Sequence, residues 1–113
     1  MREVKLDDTV NAIEVCHIDQ LKSVVSDNPN KYCILYITAE WCVVCKRVLP
    51  HILQFIKTKN TINIVADYDI AKTIVHKYKV KAIPTLIRFY NNDIDSICMS
   101  GSSDAITTFF KEF

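Results

Sequence analysis

Ala39-Glu40-Trp41-Cys42-Val43-Val44-Cys45-Lys46 decides the fold and the chemistry together. Upstream of it, Tyr32 to Ile37 is a near-continuous apolar run rich in aromatic and β-branched residues, the composition of a central strand covered on both faces. Downstream, Val44, Val48, Ile52, Phe55 and Ile56 recur at helical spacing through about Lys57, with Pro50 inside the helix as an expected kink. The stretch therefore joins a buried strand to the longest helix. Cys42 falls at that helix's N-terminus, where free backbone amides and the positive end of the helix dipole stabilise a thiolate. A two-residue spacer brings the Cys45 sulfur within bonding range in one helical turn. Cys42 can then attack a disulfide, and Cys45 can resolve the mixed disulfide.

Working outward, the spacing predicts a short strand over Ala12 to Val15 after an N-terminal extension or irregular start at residues 1–11. Ile18, Leu21, Val24 and Val25 mark a helix that Asp27-Asn28-Pro29-Asn30 stops. Thr61 to Ala66 reads as a strand, and Ile70, Ile74 and Tyr78 as a short helix. Thr85 to Phe89 and Ile94 to Met99 flank Asn91-Asn92, a hairpin turn, because Asn tolerates positive φ. Ile106, Phe109, Phe110 and Phe113 form one stripe of a last helix that Ser103 or Asp104 caps. Strands alternating with helices, then a hairpin, imply an α/β domain with a mixed sheet between helices.

Composition narrows the class. The 113 residues make one domain, and 50% are hydrophobic, enough for one real core. Net charge is +1, which counts against a nucleic-acid partner. A single glycine excludes phosphate-cradling glycine loops. No apolar run is long enough to span a bilayer. The start, Met1-Arg2-Glu3-Val4-Lys5-Leu6-Asp7-Asp8, is too charged for a signal peptide, so the expectation is a cytoplasmic protein. In that reducing compartment the five cysteines are not a structural disulfide framework.

A C-x-x-C pair is also half of a zinc site, but Cys16, Cys33, Cys98 and the three histidines form no second close pair, so no metal is expected. Two buried structural cysteines are the other alternative. The place between strand and helix, with Trp41 just before it, favours the redox reading. Ile83-Pro84-Thr85 precedes a strand; a cis proline there presents the Ile83 backbone to a bound peptide, whereas a trans one simply starts the strand.

Trp41-Cys42-Val43-Val44-Cys45-Lys46, Pro50, Asp69, Ile83-Pro84-Thr85-Leu86 and Gly101 stand in the order and spacing of thioredoxin, and residues 12–113 resemble that family. The resemblance implies a mixed sheet of four or five strands with four helices. It implies reduction of protein disulfides by exchange, with Cys42 the exposed nucleophile, Cys45 the buried resolving thiol and their disulfide in place of any cofactor. It implies a cis Pro84 and a peptide groove along Trp41, Val43, Ala82, Ile83, Pro84, Ser100 and Gly101. It implies a thioredoxin-reductase-type electron donor, protein disulfides as substrates, and a monomer with no nucleic-acid or membrane partner.

Two departures stand out. Val43-Val44 replaces the family's Gly-Pro spacer, from which a less reducing potential is expected. The family's buried aspartate falls on Tyr36 and its partner lysine on Val65, so both charges are absent together, as the cost of an unpaired buried charge requires. Without that carboxylate, slow deprotonation of Cys45 is expected. Tyr36 is a poor base with a phenol pKa of about 10 and reads chiefly as a core aromatic. Glu40 and Lys46 are possible tuners of the site. Cys33 reads as buried packing, Cys16 as structural, and Cys98 as a partly exposed thiol open to regulation. Ala82, in place of a glycine, narrows the groove slightly. Lys72, His76, Lys77, Lys79 and Lys81 form a basic stretch near the Pro84 loop, either a solvated face or a surface that steers an acidic partner. Alternatives to the reductase are a higher-potential isomerase or oxidase, and a protein-binding module with incidental redox activity.

Overall fold

A computed structural model describes residues 1–113. The chain runs β1 (Arg2–Lys5), β2 (Asn11–Glu14), α1 (Ile18–Ser26), β3 (Cys33–Thr38), α2 (Val43–Thr58), β4 (Ile62–Asp67), α3 (Lys72–Lys77), β5 (Thr85–Tyr90), β6 (Asp93–Cys98) and α4 (Ser103–Lys111). One sheet holds all six strands in the order β1-β2-β4-β3-β5-β6. Strands β2, β4 and β3 are parallel, while β1, β5 and β6 join antiparallel.

Alternation along β3 builds the two cores. Cys33, Leu35 and Ile37 face α1 and α3, where Leu21, Val24, Val25 and Ile74 meet them. Ile34 and Tyr36 face α2 and α4, against Val48, Ile52, Ile56, Ile106 and Phe110. A strand buried on both faces cannot alternate in polarity, which is why this segment reads as an unbroken apolar run. Asn91 (φ 52°) and Asn92 (φ 70°) make the β5–β6 turn.

Two details correct the sequence reading. The sheet has six strands rather than four or five, because Arg2–Lys5 folds back on β2 with Val4 opposite Ala12. Asp7 organises that return: Oδ1 accepts from the Thr9 and Val10 amides at 2.8 Å each, and Oδ2 pairs with Lys57 Nζ on α2 at 2.8 Å. Lys57 holds the Asp7 carboxyl down at about 2, the Thr9 amide helping. The cap of α4 is Ser102, accepting from the Ala105 amide, rather than Ser103 or Asp104, because the helix starts at Ser103.

The C-terminus is pinned by a cation. Arg88 on β5 is buried; its Nη1 donates to the Phe109 carbonyl and its Nε to Asp95, both at 2.6 Å. Its guanidinium lies 4.3 Å from the Phe113 ring centroid and 4.8 Å from that of Phe109.

Candidate active site

The site lies where the parallel strands end, the usual place for function in such sheets. β3 runs out at Thr38, and the chain turns through Ala39-Glu40-Trp41 into α2. Cys42 is the N-cap of α2; its Sγ accepts from the Cys45 amide at 3.1 Å. Cys42 and Cys45 are joined as a disulfide with their Cα atoms 5.3 Å apart. No acidic side chain stands in the first turn of α2 itself, where it would oppose the field of the free amides.

Cys42 is only 6% exposed and Cys45 1%. The expected exposed nucleophile is thus largely covered, because its sulfur turns inward onto the Cys45 amide and the second sulfur. Access comes from the flanks: Trp41 is 62% exposed and Val43 73%. Trp41 Nε1 donates to Asp69 Oδ2 at 2.6 Å. The loop after β4 holds Asp69 there, since Asp67 Oδ1 accepts from the Asp69 and Ile70 amides. Asp67, absent from the sequence-based candidates, therefore positions the partner of Trp41. Its signal was legible as an Asp two residues before Asp69, the spacing of an Asx turn. Ile70, read from the sequence as the first apolar position of the short helix, instead lies exposed in the turn before α3.

The loop at Pro84 closes another side. The Ile83–Pro84 peptide bond is cis, Ile83 is half-buried against the core that contains Cys42, and Ala82 is exposed. Thr85 is fully buried, its hydroxyl donating to the Ala82 carbonyl at 2.7 Å. Across from it, Ser100 and Gly101 are half-buried. A Cβ on Gly101 would overlap Val44 Cγ1 and touch Pro84 Cδ at 3.4 Å. The glycine has no positive φ, so close approach of the valine spacer, not backbone freedom, demands it.

Tyr36 and Val65 are direct neighbours across β3 and β4, both buried behind the dithiol. The Tyr36 hydroxyl donates to the Cys45 carbonyl at 3.1 Å, and burial pushes its pKa up. Tyr36 is therefore a helix anchor, not a base. Glu40 and Lys46 are exposed and stand in no ion pair. The other thiols differ from expectation: Cys98 is buried rather than partly exposed, because it faces the core on the last residue of β6, and Cys16 is exposed, because it follows the end of β2. Cys33 is buried, and burial raises its thiol to about 11; burial also raises that of Cys98.

Residues 12–112 match the thioredoxin family. Thioredoxin-1 of Caenorhabditis elegans is 34% identical over 73 residues, 64% of this chain and 64% of that protein. The much longer Thiol:disulfide interchange protein DsbD of Yersinia pestis is 27% identical over 106 residues, 85% of this chain and 18% of that protein. The chain thus spans less than two thirds of the length of these curated relatives. The crystal structure of reduced Schistosoma mansoni thioredoxin superposes with a TM-score of 0.80 at 24% identity, covering 90% of this chain and 97% of that one.

Proposed function

The chain belongs to the thioredoxin family, and we propose that it is a thiol–disulfide oxidoreductase that reduces disulfides in other proteins. The observation that carries this reading is the Cys42–Cys45 pair at the start of α2, with the Cys45 amide aimed at Cys42 Sγ. In the reduced protein that amide and the helix dipole favour the Cys42 thiolate. The thiolate attacks one sulfur of a substrate disulfide, forming a Cys42–substrate bond and releasing the other substrate sulfur as a thiolate. Cys45 loses its proton and attacks Cys42 Sγ, closing the internal disulfide and releasing the second substrate thiol. Two electrons pass to the substrate, and a reductase-type dithiol donor restores the pair. The backbone at Ile83 pairs with the substrate's main chain, and Trp41, Val43, Pro84, Ser100 and Gly101 line its path. The cytoplasm is the compartment that suits three unpaired cysteines, and a monomer suits a site built within one chain.

The test is insulin reduction with dithiothreitol, run beside Cys42→Ser. Turnover that depends on Cys42 is expected; turnover equal to that of the variant would leave a binding module. The Val43-Val44 spacer favours a second reading, a higher-potential isomerase or oxidase. A glutathione titration separates the two: a midpoint well above about −270 mV, the thioredoxin value, supports the second.

A further inference from the structure

From Ile70 to Asn92 the chain carries Lys72, Lys77, Lys79, Lys81 and Arg88 and no carboxylate, leaving nine basic against thirteen acidic side chains elsewhere. A molecule of near-zero net charge therefore gathers four exposed lysines in one stretch of chain. Arg88 is buried and paired with Asp95, but none of the four lysines stands in an ion pair. Three of them, Lys72, Lys79 and Lys81, together with His76, ring a groove of about 480 Å³ whose wall includes the partly buried Tyr68 and Val75. Tyr68 directly precedes Asp69, which holds Trp41, and Lys81 lies two residues before Ile83. The groove is thus continuous in the chain with both sides of the dithiol site.

Lys79 adds an independent observation. It ends α3 in a left-handed conformation, φ 52°, with its amide donating to the His76 carbonyl and that of Val80 to Val75. Glycine adopts this conformation freely and lysine does not. A cation thus occupies a position that backbone preference alone would give to glycine.

We propose that this groove binds an acidic segment of the protein whose disulfide Cys42 attacks. The inference rests on the reductase reading, because that reading supplies the occupant: a protein chain lying along Ile83. An extended chain advances about 3.3 Å per residue, so glutamates about two to four residues from the target cysteine come opposite Lys81 and then Lys79. A nucleic acid is the competing polyanion. It is disfavoured because Asp67 and Asp69 flank Tyr68, a lining residue, in the chain, and a long polyanion would meet their carboxylates on the way to Trp41.

The experiment uses two short peptides, each with one cysteine capped as a mixed disulfide with 2-mercaptoethanol. They differ only in glutamate or glutamine at the second to fourth flanking positions. With the prereduced protein, the glutamate peptide is expected to react about tenfold faster at low ionic strength. The advantage should vanish in high salt and in the K72E/K79E/K81E and K72Q/K79Q/K81Q variants, while reduction of neutral hydroxyethyl disulfide stays unchanged. Equal rates for the two peptides would overturn the proposal. If neither peptide nor hydroxyethyl disulfide is reduced, the reductase reading fails, and anisotropy of labelled peptides with serine in place of cysteine decides the groove. Lysine-dependent, tighter binding of the glutamate peptide supports it, and equal binding overturns it. Displacement of that peptide by a single-stranded oligonucleotide at matched charge would also overturn it, in favour of an unselective polyanion surface.

Discussion

At the scale of the residue, the dithiol was legible because its spacing and its place between an apolar run and a helical stripe are both written in the chain. The replacement of two charges by Tyr36 and Val65 was legible too, but its consequence was not, since only packing decides where a phenol points. Its hydroxyl is spent on the Cys45 carbonyl and its pKa is raised by burial. Tyr36→Phe should therefore cost about 1 kcal/mol of stability, the loss of one hydrogen bond, read from the urea midpoint, and leave mixed-disulfide resolution at its original rate. Tyr36→Asp should accelerate resolution near neutral pH, measured by stopped-flow Trp41 fluorescence. An unchanged rate would show that a missing carboxylate does not limit the step. Gly101 was read as a family position; its physical reason, the bulk of Val44 against it, needed the fold.

At the scale of the element, α1, α2 and α4 were legible from apolar stripes and the hairpin from its two asparagines; of the stripe read for α3 only Ile74 lies in the helix, Ile70 standing exposed before it and Tyr78 at its C-cap. β1 was not legible. Three of its four residues are charged or polar and exposed, and only Val4 is partly buried, so no period-2 pattern exists to read. What holds it is Asp7, a turn former and an ion-pair partner at once. Its folded carboxyl lies below its unfolded value of 3.8, so its contribution is complete above about pH 4 and is lost as pH falls toward about 2. Hydrogen exchange at the β1–β2 amides, corrected for intrinsic rates, should rise across that interval. Asp7→Asn keeps the turn acceptor but loses the attraction of Lys57, and should show faster exchange at neutral pH with little further change on acidification.

At the scale of the whole molecule, the buried acids that stay protonated set the alkaline limit. Cys33, Cys98, Tyr36 and Tyr78 all have folded pKa values above their ordinary ones, burial being the leading cause. Their contributions are complete below about pH 9, where the unfolded thiols begin to ionise, and decline as pH rises, through about 11 for Cys33. The thermal midpoint should fall steeply from pH 9 to 11, and less steeply in Cys33→Val. The two-core sandwich itself was legible from strand and helix order; its sixth strand was not. That strand decides what the sheet shows to its surroundings. One rim is β1, with the exposed charges Arg2, Glu3 and Lys5; the other is β6, where Asp93 and Asp95 stand beside the exposed Ile94 and Ile97. Charged rims are poor templates for recruiting a foreign strand. On the proposed reductase reading, which brings the protein against partly unfolded chains, the charged β1 border discourages such clients from adding on as a further strand while they engage the loop beside the dithiol.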